Sequence, residues 1–441
     1  MKDLSGWGRY PRQIGALTTA TSPDTAQTAT TRGAGLIARG LGRSYGDAAI
    51  GRETTLSMTG LNRMQSFDPE TCLLTTEAGV SLAEIIACFL PRGYFPTVVP
   101  GTKFVTVGGM IASDVHGKNQ HNDGTFGHHV AWLTLALPNG QILRCAPEEN
   151  AELFHATIGG MGLTGTILTA AFRLKPVESG WIRQTTHAAK NLAEAIALLR
   201  QTERATYTVA WIDVLARGAS LGRSLILAGE HAKQDDLPGG YRQFPPVSAG
   251  RLGVPIELPG WVLNTASVSA FNALYYRRGA QKSGQTTLVP FDSYFFPLDG
   301  ISNWNRIYGV RGFVQHQCVV PNENAEEVMT AILDILSSRG EGSFLAVLKC
   351  LGPGAGLMSF PRDGLTLALD LPVSEKRLAL LAEIDVLVAK AGGRIYLAKD
   401  ACQSRATLNA GYPNAAVFRQ IRREMGCADL MASKLSERLD L

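Results

Sequence analysis

Residues 72–78 and 166–174 alternate apolar and polar side chains with a period of two, as strands with one buried face do, and Gly and Pro turn signals punctuate the whole of 36–175. The spacing predicts one short helix in this stretch, over 82–90, where Ser81 precedes an apolar run and Glu84 three residues on completes a capping box. A further helix-like segment covers 151–158. Beyond Pro176 the period becomes that of amphipathic helices, at about 191–204, 323–339 and 375–391, each beside a strand-like run. That change of texture predicts a domain boundary. The stretch 229–259, rich in Gly, Pro and Gln, reads as a long loop. No internal repeat stands out.

The 441 residues suffice for two large domains, and 45% hydrophobic against 18% charged residues excludes disordered and fibrous classes. A net charge of +4 is too mild to mark a nucleic-acid footprint, so no nucleic-acid partner is expected. Seven scattered cysteines with no C-x-x-C pair argue against a disulfide framework and a zinc site, and fit a reducing compartment. No apolar h-region opens the chain and no stretch reaches ~18 apolar residues, so neither export by that route nor a membrane span is expected.

Four glycine-rich clusters crowd the first 170 residues: Ala38-Arg39-Gly40-Leu41-Gly42-Arg43-Ser44-Tyr45-Gly46-Asp47, Pro100-Gly101-Thr102, Thr106-Val107-Gly108-Gly109, and Gly159-Gly160-Met161-Gly162-Leu163-Thr164-Gly165. Glycine lets a backbone approach a ligand closely, and successive free amides form a nest for phosphate oxygens, so a dinucleotide is the natural guest; tight turns between strands are the plainer reading of any one cluster. The last cluster spells G-x-G-x-x-G but follows a helix-like segment and precedes a strand, the reverse of the Rossmann context, and no Walker A sequence occurs.

The run Ala38 to Ala49, then Thr76-Glu77-Ala78-Gly79-Val80, Pro100-Gly101-Thr102, and Val105 through Asn119 closely resemble the decaprenylphosphoryl-β-D-ribose 2'-oxidases, FAD-linked members of the vanillyl-alcohol-oxidase and p-cresol-methylhydroxylase superfamily. The likeness continues in order at Trp211, Trp304-Asn305-Arg306, Gln315, Gln317, Lys349, Gly352-Pro353-Gly354, 394–400 and Tyr412-Pro413. It implies an α+β fold of two domains: an FAD domain from 1–178 completed by 394–441, and a substrate domain, 179–393, inserted between them on an antiparallel sheet. It assigns FAD to Ala38 through Ala48, Gly101, Thr106 to Gly109, Ser113, Asp114, Val115, His116 and Tyr396. Arg39 and Arg43 then either balance pyrophosphate charge or pack elsewhere. Ser44 occupies the place where many superfamily members carry a flavin-linking histidine, so the resemblance implies non-covalent FAD.

His116, His121, His128 and His129 fall close together with Asp114 and Asp123, but no H-x-x-x-H spacing accompanies them, and no metal is expected. The resemblance places His116 beside the flavin and Lys118 near substrate. Oxidising a carbinol requires a proton acceptor as well as the cofactor's electron sink. Lys399 matches the family's candidate acceptor, with Lys349 as a cation able to depress its pKa; the plainer reading is a solvated lysine paired with Asp400. Gln315, Gln317, Lys349, Trp211, Lys118 and Ala368 are expected to line the substrate pocket. Ala368 stands where a family member carries the cysteine attacked by covalent inhibitors, and phenylalanine replaces a pocket tyrosine before Pro297-Leu298-Asp299.

The implied activity is oxidation of the 2'-hydroxyl of a polyprenyl-phosphoryl pentose to a keto intermediate, the first half of an epimerisation that a separate short-chain reductase completes. A free-sugar or alditol oxidase is the alternative within the same chemistry, and a non-catalytic sugar-lipid binding protein the alternative outside it. The expected location is the cytoplasm. Peripheral contact with the inner face of the membrane through Trp261, Val262, Leu263, Phe271, Tyr275, Tyr276, Arg277 and Arg278 is weighed against a plain packed helix.

Overall fold

The computed structural model describes residues 1–247, 252–259 and 262–441. Among the described residues three large sheets, a two-stranded parallel pair of Leu252–Gly253 with Ile301–Ser302, and their helices build a mixed α+β architecture. The first sheet runs in the order Lys2–Ser5, Arg12–Thr19, Thr54–Ser57, Leu36–Arg39. Thr54–Ser57 is parallel to both neighbours, which requires a crossover, and the helix Pro23–Arg32 supplies it, capped by Ser22. The second sheet is antiparallel, with Thr166–Pro176 central between Leu73–Glu77 and Val130–Ala136. Both predicted alternating runs lie in it. The predicted capping box also forms, Ser81 and Glu84 closing the start of the helix Leu82–Phe89.

The third sheet has eight strands, all antiparallel, and spans Trp181–Ala189 to Arg394–Ile395 in the sequence. Helices Leu192–Gln201, Ala325–Arg339 and Glu375–Lys390, at the three predicted places, cover one face. Their apolar stripes meet Ile212, Ile226, Cys318, Leu348, Leu367 and Leu369 in a buried apolar core. Strand side chains alternate between faces. Gln315, Gln317, Val347, Lys349 and Ala368 therefore point the other way, into a large cavity. The chain's final segment returns to the first sheet, where Leu36 donates to the Leu430 carbonyl and Ala432 donates back to Leu36.

The structure departs from the sequence reading in places. Thr106-Val107-Gly108-Gly109 is no strand turn: Thr106 caps the helix Val107–Ala112. This helix buries Val107, Met110 and Ile111 and has no amphipathic period to betray it. The expected loop over 229–259 starts later, because the strand Ser224–His231 runs through Gly229. Part of that stretch, 248–251, lies outside the described residues, as does Trp261. The helix Thr265–Ala280, capped by Asn264, packs Val268 and Asn272 inward and leaves Phe271, Leu274 and Tyr275 exposed. Among the described residues no helix is long and apolar enough to cross a membrane.

Candidate active site

The strand Leu36–Arg39 leads into the first glycine loop. Gly42 takes φ +66°, and a Cβ there would sit 2.3 Å from Arg39 Nη2. Gly46 presses against the turn that carries Lys399, where a Cβ would lie 2.0 Å from the Asp400 carbonyl oxygen, and Tyr45 N–H donates to Ala398 at 2.9 Å. The backbone amides of Leu41, Gly42, Arg43 and Ser44 meet no protein acceptor among the described residues. Such a run of amides awaits an anionic guest. Arg39 packs elsewhere, donating to the carbonyls of Ser5 and Ala49, while Arg43 stacks on Trp7, 3.9 Å from the ring centroid.

This loop forms one wall of a cleft with a cavity volume of about 380 Å³, within the ~300–1,000 Å³ typical of ligand pockets. Its lining runs from the glycine loop to the strands that carry Gln315, Val347 and Lys349. Ala38, Gly40, Gly42, Ser44, Ala48 and Gly101 make the cofactor-side wall small, and nothing lies within 4 Å of a Cβ built on Gly101. Small residues and unpaired amides fit an FAD pyrophosphate.

Of the expected cofactor residues, Leu41, Arg43, Tyr45, Thr106, Gly109, Ser113, Val115, His116 and Tyr396 also line the cleft. Arg39, Gly46, Asp47, Val107, Gly108 and Asp114 do not. Asp47 is buried against Arg438, whose guanidinium also holds Asp400. Asp114 is wholly buried and accepts from Gly127 N, Ala355 N and Ser359 Oγ, so it braces the loops behind the cleft. The expected substrate residues Lys118, Trp211, Gln315, Gln317, Lys349 and Ala368 all line the opposite wall, joined by Phe295.

Lys399 enters the cleft from a turn that begins at Tyr396, its Nζ 3.8 Å from the centroid of the Tyr45 ring. Asp400 is not its partner, because that carboxylate accepts from Cys402 N, Gln403 N and Arg438. Burial lowers the Lys399 pKa; Asp370 opposes the shift and Lys349 adds to it. Burial also brings Lys349 to about 8. Lys118, beneath the Tyr294 ring and donating to the Tyr294 carbonyl, falls to about 7 through burial and the nearby Lys349. His116 sits between Gln317, 3.1 Å from its Nε2, and Lys349, 3.3 Å from its Nδ1. Burial, then Lys349 and Lys399, hold its pKa well below the usual imidazole range. The cleft thus gathers amines that can be neutral near neutral pH, beside amides suited to sugar hydroxyls.

His121, His128 and His129 are occupied by Ala205 O, Thr125 and Asp123 O respectively. Among the described residues no group of three or more His, Cys, Asp or Glu side chains is placed to hold a metal. Sequence reasoning missed Asp370, a buried carboxylate beside the cleft. Its position two residues after Ala368 on an alternating strand was the available signal.

A glycine loop with unpaired amides, beside a cleft that a buried amine faces, is the arrangement of an FAD-dependent oxidoreductase. Residues 17–146 match the FAD binding domain family. The chain is 38% identical over 453 residues to the decaprenylphosphoryl-β-D-ribose oxidase of Mycolicibacterium smegmatis, covering 100% of this chain and 98% of that protein. It is 34% identical to an uncharacterised Streptomyces coelicolor protein encoded in the mprA 5' region, over 82% of this chain and 99% of that one. The bovine L-gulonolactone oxidase matches at 33% identity over 31% of each chain. The chain belongs to the decaprenylphosphoryl-β-D-ribose oxidase family.

Proposed function

We propose that the enzyme oxidises the 2'-hydroxyl of a polyprenyl-phosphoryl pentose to the ketone, with Lys399 accepting the hydroxyl proton. The observation that carries this reading is Lys399 itself, a buried amine with lowered pKa that faces the cleft without an ion-pair partner among the described residues. Gln315 and Gln317 orient the sugar hydroxyls, His116 stays neutral beside the reacting carbon, and Lys118 and Lys349 receive the substrate's phosphate. Bound FAD supplies the two-electron acceptor. It is held without a covalent bond, since Ser44 offers no imidazole.

The first 178 residues with 394–441 form the FAD domain, and 179–393 the substrate domain. A separate short-chain reductase reduces the keto product to complete the epimerisation. The enzyme is cytoplasmic and meets the inner face of the membrane with the exposed side of Thr265–Ala280, where Phe271, Leu274 and Tyr275 adjoin Arg277 and Arg278. The test is anaerobic titration of the purified yellow enzyme with a panel of phosphoprenyl pentoses. A ribosyl member of the panel should bleach the flavin, and Lys399→Met should keep FAD while slowing reduction by about 10²–10⁴-fold. Normal reduction by the variant overturns the assignment of Lys399.

A further inference from the structure

Asp370 is 1% exposed, on the strand Gly364–Pro372 directly across from Gln315. Gln315 Nε2 donates to its Oδ1 at 2.5 Å and the Tyr308 hydroxyl to its Oδ2 at 3.4 Å. Among the described residues no Lys, Arg or His lies within ion-pair distance, 4.0 Å, of this carboxylate. Burial raises its pKa to about 7, with Gln315, Lys399 and Tyr308 opposing the shift and favouring the carboxylate, and a fold that needed only packing would place an apolar side chain there. A run of ring contacts leads from it to the base. Tyr308, which donates to the carboxylate, stacks on Phe313 with ring centroids 4.2 Å apart, Phe313 meets the Tyr45 ring edge-on at 5.4 Å, and the Lys399 Nζ lies over that same Tyr45 ring.

We infer that Asp370 is a positioning residue for the oxidation, its carboxylate setting the charge of Lys399 and stabilising the ammonium formed there, with Gln315 and Tyr308 holding the carboxylate in place. This rests on Lys399 being the base. In that step the carbinol O–H bond breaks and an N–H bond forms on Lys399 Nζ, while the C–H hydrogen departs with its electron pair to oxidised FAD. A ketone and an ammonium remain, and the ammonium returns its proton to water. The charged and titratable groups facing the pair are Tyr45 and Arg43 of the first loop, His116, Asp299, Tyr308 and Lys349. Lys349 acts on Lys399 in the sense opposite to Asp370.

The experiment is anaerobic stopped-flow reduction of the holoenzyme flavin by a short prenyl-phosphoryl ribose as a function of pH. The base must be neutral, so the rate rises with pH through the Lys399 titration. Asp370 raises that titration, so Asp370→Asn should move the acidic limb down by about one to two pH units. The plateau should fall roughly tenfold, because a weaker base leaves its ammonium unsupported. Asp370→Glu should return the limb toward its wild-type position, and Lys349→Met should move it up. Asp370→Ser, smaller and also uncharged, carries the same expectation where the asparagine variant does not retain FAD. An unmoved or upward-moving limb in the uncharged variants overturns the inference. Lys399→Met run in parallel separates the two readings: a dead Lys399 variant with an unmoved Asp370→Asn limb removes Asp370 alone, and a fully active one removes the base as well.

Discussion

Arg438 joins the last helix, Lys434–Leu439, to the two segments that frame the cofactor wall, and Arg438→Met tests what that joint contributes. Its guanidinium donates to Asp47 at 2.9 and 3.1 Å, to Asp400 at 3.0 Å and to the Gln403 carbonyl at 2.8 Å. The two carboxylate side chains are only 5% and 2% exposed. Removing one partner of a buried pair costs about 3–5 kcal/mol, and because Arg438 is itself a quarter exposed the low end applies. About 3 kcal/mol, at ~2.1 cal/mol/K per residue over the whole chain, lowers the thermal midpoint by roughly 3 °C. The pH dependence has a definite sign. Burial already raises the Asp47 pKa with Arg438 pulling it down, so deleting Arg438 raises it further. An acid whose folded-state pKa lies above its unfolded one is destabilising at high pH and is relieved by protonation. Denaturant unfolding of wild type and variant at pH 7.5 and 5 should therefore give a larger difference at pH 7.5, with Arg438→Lys intermediate at both. A loss under about 1 kcal/mol, or a loss that grows on acidification, refutes the reasoning.

Gly101→Ala and Gly46→Ala should behave oppositely. Nothing stands within 4 Å of a Cβ at Gly101, so melting of the apoprotein should be unchanged while FAD affinity drops; at Gly46 the Cβ meets the Asp400 backbone at 2.0 Å, and the apoprotein itself should lose stability. The native cleft carries no cysteine among its described lining residues, so alkylation under native conditions should leave flavin reduction intact, whereas Ala368→Cys should become sensitive and be protected by substrate. His116 should remain neutral below pH 6 by nitrogen NMR of the holoenzyme, and an imidazolium signal above that pH would contradict the burial described for it.

The elements that a short stretch of sequence can specify were legible: the Ser81 capping box, the alternating strand runs and the amphipathic helices after Pro176. The FAD class was legible through the family resemblance, which consecutive runs such as Ala38 to Ala49 and Val105 to Asn119 carry; the glycine clusters alone pointed only to a dinucleotide. What escaped was set by partners far away in the chain. Asp47 and Asp114 sit inside motif runs, yet their carboxylates serve Arg438, 391 positions on, and Ser359, 245 positions on. Asp400 looked like the companion of Lys399 because the two are adjacent, and a turn points adjacent side chains apart. The helix Val107–Ala112 is buried too completely to show a periodicity.

The eight-stranded sheet has a consequence for how this enzyme can change. Each of its central strands commits every second side chain to the helix layer and lends the others to the cleft, so Cys318, Leu348 and Leu367 are fixed by close packing while Gln317, Val347 and Ala368 answer only to what the cleft contains. Mutational drift can therefore reshape the acceptor for a new sugar or chain while the scaffold behind it stays as it was, and a library confined to those alternate positions would explore substrate scope at little risk to folding.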